Sequence, residues 1–445
     1  MVETCEYKYV FVNGELDIHY WGNECLVVDN ISKIYRLSAL HTDIVACCKE
    51  TNDINILCSE ILGKYFCPEE LIEQAKEKII SAIYSLVKNK ILILTNDINY
   101  KCVAVYSGKR GYYYPQSVNI ELTNRCNFLC QHCYKNAGAI GTYITKETMK
   151  HLFEILSEKT QSIQFSGGEP TLHPDFCNFV VEFSKSFDLS LVTNGSLFYT
   201  FPDYILSRFS SVQFSLYGYS PEQYKVFTGN DLGYYALIKS VDVANRLGIE
   251  YQLCVTLGKN TINQIEKYIL FACEIGAKKI KFGLPSASGR SLSDYLSTRN
   301  YILEKSDINI AYREIKRLKL KYKEKIFISL WGHVDFVSNQ RRKNIYDKDN
   351  LISCGAGSYT YVVSQEGKVR PCEFLPEDIF DMGDISIIYD FIKGDFHIED
   401  FKSKIRLFRK NMNACDISLY SVCSSIEPYF NQCCVEKNEM VSLDS

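Results

Sequence analysis

The chain has 445 residues, more than one hydrophobic core usually organises, so two or three domains are expected. Hydrophobic residues make up 46% and charged residues 23%, which excludes a largely disordered protein. Its 50 basic and 53 acidic residues leave a net charge of -3, which gives no electrostatic reason to expect nucleic acid as the main partner. A small molecule or a peptide is the expected ligand. The start, Met1 to Glu6, has no basic region followed by an apolar stretch, and nowhere do about 18 apolar residues run together. No membrane span is expected, and the chain reads as cytoplasmic. In that reducing compartment 19 cysteines, an odd number, are not a disulfide framework. Closely spaced sets point instead to metal or cluster ligation.

Residues 1–95 read as a small domain. Asn13-Gly14 between two strand-like runs predicts a tight hairpin, and a strand is expected from Lys33 to Leu37. Ser38 is a plausible cap for a helix reaching about Lys49. Pro68 opens a longer helix in which Leu71, Ala75, Ile79, Ile83 and Leu86 recur every three or four residues. The run Ile91 to Leu94 closes the unit, and this order suggests a winged-helix-like fold. A tyrosine-rich stretch, 96–117, reads as a linker.

From Val118 strands alternate with helices, the pattern of an α/β domain with a parallel sheet. Six strands are expected: Val118 to Leu122, Ser162 to Ser166, Leu189 to Thr193, Val212 to Leu216, Tyr251 to Thr256 and Lys279 to Gly283. Helices fit between them, for example Lys146 to Leu156 and Thr261 to Ile275. The expected fold over 118–290 is thus a partial (β/α)6 TIM-like barrel, with functional loops at the carboxyl ends of the strands. Residues 291–350 form a bridging segment whose basic stretch, Arg313 to Lys323, reads as a solvated helix face. Residues 351–445 form a cysteine-rich domain.

Cys126, Cys130 and Cys133 follow the first barrel strand, so they lie on an active-face loop. Three thiolates on one loop can occupy three irons of a 4Fe-4S cube and leave the fourth iron open to a cofactor or substrate. A structural zinc site wants four closed ligands, and His132, adjacent to Cys133, is the nearby fourth partner. Three incidental core cysteines are the other alternative.

The CxxxCxxC spacing in this position resembles the radical S-adenosylmethionine superfamily, whose fold is this partial barrel. Gly167-Gly168-Glu169-Pro170, after the second strand, matches the superfamily's GGEP sequence. That resemblance implies contact with the amino group of S-adenosylmethionine, with glycines allowing close approach and Glu169 offering a carboxylate near the ammonium. Thr193-Asn194-Gly195 and Ser215 match positions that line the ribose and methionine parts of the cofactor, although Asn194-Gly195 also reads as a plain turn. Arg290 resembles an arginine of many relatives and is a candidate carboxylate partner.

Cys354-Gly355-Ala356-Gly357 and Gly367 to Cys372 resemble the start of the SPASM extension, which carries auxiliary iron-sulfur clusters in peptide-modifying enzymes. Cys415, Cys423, Cys433 and Cys434 follow without the extension's usual later spacing. Four thiolates from these six cysteines would serve one auxiliary cluster, whereas two saturated clusters would need eight. Zinc accepts the same ligands. The remaining ten cysteines, Cys47, Cys48, Cys177 and Cys254 among them, read as inert core residues.

The order of domains resembles maturases of ribosomally made peptides, in which an N-terminal domain recognises a leader sequence by strand pairing. Sactipeptide, subtilosin-type thioether synthases are the nearest likeness. It implies an external electron donor such as flavodoxin or ferredoxin, a 5'-deoxyadenosyl radical that takes hydrogen from a precursor peptide, and a cysteine sulfur joined to an α-carbon. Peptide epimerisation and carbon-carbon cross-linking share the first half of that mechanism. Formylglycine formation needs no leader-binding domain. A non-catalytic peptide-binding iron-sulfur protein is the alternative of another class. No catalytic acid or base is assigned from the sequence.

Overall fold

The computed structural model describes residues 7–29, 34–65, 67–100, 104–112, 114–157, 160–283, 289–290, 303, 305–330, 352–353, 359–370, 372–373 and 383–384. The chain divides into two units, one built on residues 1–116 with 340–359 and 391–395, the other on 117–339 with 360–390 and 396–445.

In the first unit β1 (Tyr9–Val12) pairs antiparallel with β5 (Leu92–Thr95). A separate sheet holds β2 (Asp17–Gly22), β3 (Glu24–Val28), β4 (Ile34–Leu37), β6 (Val105–Arg110) and β14 (Ile352–Ser353), in the order β14-β4-β3-β2-β6. The expected hairpin at Asn13-Gly14 is therefore corrected, because the strands on either side of it belong to different sheets. The tight hairpin is instead β2–β3, where Trp21 opposes Glu24 across Gly22-Asn23 and Gly22 takes the positive φ of 61° that such a turn demands. The stretch read as a linker contains β6, which runs parallel to β2.

Helix α1 (Ala39–Cys47) starts where expected, with the Ser38 hydroxyl accepting from the His41 main-chain N–H. Helix α2 (Ile54–Lys64), capped by the Asp53 carboxylate, carried no sequence expectation. Helix α3 (Ile72–Lys88) buries Ile79, Ala82, Ile83 and Leu86, close to the predicted stripe.

The second unit is a nine-stranded sheet. Strands β7 (Ser117–Thr123), β8 (Ser162–Gly167), β9 (Asp188–Thr193), β10 (Ser211–Ser215), β11 (Tyr251–Thr256) and β12 (Lys279–Gly283) are the six expected ones, parallel and adjacent in chain order. The sheet extends further than expected. Strand β13 (Phe327–Leu330) adds in parallel beside β12, β15 (Thr360–Val363) adds in parallel beside β7, and β16 (Val369–Arg370) closes a hairpin with β15. The bridging segment thus contributes one strand and the C-terminal segment two to the same sheet.

Period-two alternation decides which side of each strand faces the helices. In β11, Tyr251, Leu253 and Val255 are buried, while Gln252, Cys254 and Thr256 face the other way. Helix α4 (Lys146–Leu156), capped by Thr145, places Met149, Leu152, Ile155 and Leu156 against the sheet. Helices α5 (Phe176–Phe183), α6 (Asp203–Leu206), α7 (Pro221–Thr228), α8 (Leu232–Leu247) and α9 (Ile265–Glu274) fill the later connections. In α10 (Lys305–Lys321), Ala311, Ile315 and Leu318 are buried while Arg313, Lys316 and Arg317 are exposed, the solvated face expected of that basic stretch.

Candidate functional site

The carboxyl ends of β7 to β12 and the loops beyond them enclose a cavity of about 390 Å³. Cys126, Cys130 and Cys133 line it, with Gly167 and Gly168 from β8 and its loop, Thr193 and Asn194 after β9, Ser215 on β10, and Arg290. Residues separated by more than 160 positions in the chain are brought to one chamber.

The cysteine loop is held from several sides. Cys126 N–H donates to the Gly138 carbonyl at 2.6 Å, and Leu129 and Gln131 N–H donate to the Thr228 and Phe227 carbonyls at the end of α7. Phe128 and Phe227 pack with Cys130, and Tyr217 lies against them. The sulfurs meet donors: Phe128 N–H approaches Cys126 Sγ at 3.4 Å, Ala137 N–H approaches Cys133 Sγ at 3.4 Å, and the Asn194 side-chain amide approaches Cys126 Sγ at 3.8 Å. Burial pushes the Cys126 thiol up to about 12, with the Glu169 carboxylate adding to the effect. Burial also raises Cys130, against the opposing hydrogen bond with Tyr217.

These features fit a 4Fe-4S cluster. Metal replaces the thiol protons that burial otherwise retains, and N–H donors aimed at sulfur stabilise the charge of a thiolate-bound cluster. A single ion fits less well. Among the described residues no three His, Cys, Asp or Glu side chains converge as ligands of one ion. Burial and the nearby Arg290 charge lower His132 to about 4, so its ring is neutral, and it packs on Phe227 and Tyr217.

The glycines of the GGEP turn are required by packing. A Cβ on Gly168 would lie 2.2 Å from the Arg125 carbonyl oxygen, and one on Gly167, which has φ of 133°, would lie 2.3 Å from that of Thr123. The turn therefore braces the segment leading into Cys126, through Gly168 N–H to the Thr123 carbonyl at 2.6 Å and Glu169 N–H to the Arg125 carbonyl at 2.8 Å.

Glu169 has partners within the protein. Its side chain is fully buried and lies outside the cavity lining. The carboxylate accepts from Thr193 Oγ1 and Asn194 N–H, both at 2.7 Å, and from the N–H and hydroxyl of Thr171. Burial raises its pKa and these donors oppose the rise. The carboxylate expected beside a ligand ammonium thus ties the β8 loop to the β9 loop, and Pro170 is buried behind it.

Arg290 also has definite partners. Its Nε donates to the Cys130 carbonyl at 3.0 Å, its Nη1 to the Ala137 carbonyl at 2.6 Å, and its main-chain N–H to the Cys133 carbonyl at 2.9 Å. It clamps the cysteine loop at the cavity edge. Of the six C-terminal cysteines, Cys372 is half-buried, while Cys354, Cys415, Cys423, Cys433 and Cys434 lie outside the described residues.

Several residues in and beside the cavity carried no sequence signal. Glu121 on β7 takes both the Lys135 ammonium, two residues after Cys133, and the Arg370 guanidinium, two residues before Cys372. Glu373 lines the cavity and accepts from Asn119 Nδ2 at 3.0 Å and Tyr134 Oη at 3.4 Å. Burial raises the Glu373 carboxyl, with Lys135 the largest opposing charge. Cys254, read from the sequence as inert core, is a wall residue of the cavity, in register with Ser215 on one side and Lys281 on the other.

Residues 120–272 match the Radical SAM superfamily. Over 307 residues the chain is 22% identical to the antilisterial bacteriocin subtilosin biosynthesis protein AlbA of Bacillus subtilis, covering 68% of this chain and 64% of AlbA, just under two thirds of that relative's length. It is 24% identical over 302 residues to a probable GTP 3',8-cyclase of Saccharolobus islandicus, covering 65% of this chain and 91% of the cyclase. The fold resembles that of SuiB from Streptococcus suis in its crystal structure with S-adenosylmethionine, with a TM-score of 0.54, 13% identity, and 86% and 88% of the two chains covered. SuiB has also been solved bound to its precursor peptide SuiA, and that structure matches with a TM-score of 0.52 and 13% identity over 82% of this chain and 83% of SuiB.

Proposed function

Since residues 120–272 form a radical SAM domain, we propose that this protein is a maturase of a ribosomally made precursor peptide that joins cysteine sulfur to a peptide α-carbon. The observation that carries the reading is the convergence of Cys126, Cys130, Cys133, Gly167, Gly168, Thr193, Asn194 and Ser215 on one cavity. AlbA, named for subtilosin biosynthesis, and SuiB, solved with a precursor peptide, support a peptide as substrate.

Cys126, Cys130 and Cys133 would hold the cluster, and S-adenosylmethionine would lie along Gly167, Gly168, Thr193, Asn194 and Ser215. Together a reduced cluster and this cofactor supply a carbon radical able to take hydrogen from an unactivated C–H bond. The chain's own residues prepare the site. Arg290, Gly138 and the end of α7 fix the cysteine loop, Glu169 sets the β9 loop against it, and Phe128, Tyr217 and Phe227 shield the sulfurs from water. Cys372 and C-terminal cysteines would hold an auxiliary cluster, which would supply a thiolate-binding or electron-accepting centre, and an external donor such as flavodoxin or ferredoxin would supply electrons to the site.

Leader recognition falls to the N-terminal unit. Beside β5 runs a groove lined by Tyr7, Tyr84, Val87, Leu92 and Leu94, and among the described residues β5 has a strand partner on one side alone, β1. An extended leader pairing with that edge would gain main-chain hydrogen bonds and apolar pockets.

A nucleoside triphosphate, the substrate named for the cyclase, fits this cavity less well. Of the cations in its described wall, Lys135 is paired with Glu121, Arg290 holds loop carbonyls, and Lys281 acts on Glu373 and Cys254.

Co-expression with a cysteine-bearing precursor tests the reading. Each thioether removes a pair of hydrogens, so the precursor mass should fall by that amount per link. Peptide epimerisation is the second reading, favoured by Cys254 in the wall. Its thiol would give a hydrogen atom to an α-carbon radical, and the thiyl left behind would need an electron and a proton from the external donor. An unchanged mass with deuterium uptake from heavy water would replace the thioether reading by this one.

A further inference from the structure

The cavity wall carries a pair of side chains that no motif accounts for. Strands β10 and β11 are in parallel register, with Gln213 opposite Gln252 and, two residues on, Ser215 opposite Cys254. Side chains two apart on a strand share a face, so these are two rungs on one wall, about 6.6 Å apart. All four residues line the cavity. The Ser215–Cys254 rung lies nearer the carboxyl ends of the strands, where the cysteine loop sits.

Gln252 Nε2 donates to Gln213 Oε1 at 3.1 Å. A primary amide has two donor hydrogens and an oxygen with two acceptor sites. One bond between the two side chains therefore leaves the Gln213 NH2 and the Gln252 oxygen to the cavity, a donor beside an acceptor. Exchanging oxygen and nitrogen in both side chains reverses which residue donates and preserves the offer. The rung is uncharged. A carboxylate or phosphate there would meet one glutamine oxygen as well as one NH2 group, whereas a secondary amide, with a C=O that accepts and an N–H that donates, satisfies both.

We propose that the Gln213–Gln252 rung is a subsite for one main-chain amide of the substrate peptide, an inference that rests on the peptide reading above. A main-chain amide lies between two α-carbons, so holding it on the lower rung keeps an α-carbon beside the Ser215–Cys254 rung. The pair selects for peptide backbone rather than for a particular side chain. It is thereby a positioning device that tolerates sequence variation in the substrate.

Saturation-transfer NMR on the full chain, reconstituted with iron and sulfide and supplied with S-adenosylmethionine, tests this directly. The probes are N-methylpropanamide, whose one amide is secondary, and methyl propanoate, in which oxygen replaces that N–H. Loss of a donor and its replacement by an acceptor against the glutamine oxygen should weaken the ester about tenfold relative to the amide. In the Gln213→Leu/Gln252→Leu double variant the two probes should bind alike. Equal binding of amide and ester to the unaltered chain overturns the subsite, and that comparison needs no variant to fold. If equal binding accompanies a modified precursor, the subsite alone falls. If GTP displaces the amide and the precursor emerges from co-expression with neither mass change nor deuterium uptake, the peptide reading falls with it.

Discussion

Both units bury cysteines, and the two sets differ in what surrounds the thiol. In the N-terminal unit Cys25, Cys47, Cys48 and Cys58 belong to a core with Val10, Val27, Ile44 and Leu57. Burial pushes Cys25 and Cys48 up to about 12, as it does Cys126 in the barrel. A raised thiol pKa therefore does not distinguish the sets. Position does: the barrel cysteines sit on a loop beyond a strand, with N–H groups aimed at their sulfurs and a cavity in front of them. The core cysteines are packed among helices and strands, although the Lys64 ammonium reaches Cys47 Sγ at 3.2 Å.

The largest expected effect breaks the comparison at its centre. Cys130→Ser should abolish the triad cluster and all cleavage of S-adenosylmethionine, because a hydroxyl is a poor cluster ligand and the remaining pair leaves two irons without protein ligands. Iron and sulfide analysis with cofactor-cleavage assays on the reconstituted chain checks this. A Cys130→Ser chain with full iron at the triad and intact cleavage would place the cluster elsewhere.

The second prediction concerns buried charge, which the units also handle differently. In the barrel Glu121 is shared by Lys135 and Arg370, and all three side chains are at most 10% exposed. In the N-terminal unit Asp43 is buried but its Arg110 partner is 40% exposed, so water solvates one side of that pair. Glu121→Ala would leave two buried cations without their shared anion, a change expected to cost about 3–5 kcal/mol. Asp43→Ala should cost less, and denaturant midpoints of both variants measure the difference. Equal losses would mean that water reaches Glu121 as readily as it reaches Asp43.

These residues mark where sequence reading stops. Six barrel strands, the α4 boundaries and the Ser38 cap were legible, because local periodicity and capping chemistry set them. The cysteine loop was legible because Cys126, Cys130 and Cys133 lie within eight residues of sequence. Glu121 and Arg370 are 249 positions apart, and no local pattern announces their meeting. Cys254 illustrates a subtler failure. The alternation of Gln252, Cys254 and Thr256 with Tyr251, Leu253 and Val255 marks two faces of a strand, yet the polar face turns inward to a cavity. At Asn13-Gly14 a strong turn signal was outweighed by the pairing of β1 with β5 and of β2 with β3.

The third prediction uses acid against the N-terminal unit. His19 is buried, with Nε2–H donating to the Tyr114 carbonyl at 2.7 Å and Nδ1 bonded to the Ser107 hydroxyl at 2.9 Å. Burial lowers its pKa to about 4 from the ordinary 6.5. Above pH 6.5 the ring is neutral whether the chain is folded or not, and it adds no pH dependence. Between 6.5 and 4 the unfolded chain binds the extra proton, so stability falls as pH falls. The full loss, reached below pH 4, is about 3 kcal/mol from this group. Thermal melts followed by a probe in the N-terminal unit should show this slope, and His19→Gln should flatten it. An unchanged slope in that variant would assign the acid sensitivity to other groups.

The smallest expected effect returns to the cysteines. Cys25 is fully buried on β3, between β2 and β4, in register with Tyr20 and Leu37. Cys25→Ala removes one sulfur atom from a packed core, a change worth about 1 kcal/mol once the small cavity is included. Iron content and cofactor cleavage should match those of the unaltered chain, since Cys25 is packed in the N-terminal core and does not line the cavity that holds Cys126, Cys130 and Cys133. A Cys25→Ala chain that loses iron while its melting temperature stays put would make this cysteine a ligand. The contrast with Cys130 would then rest on something other than position, because two thiols raised by the same burial would be doing the same chemistry in opposite surroundings.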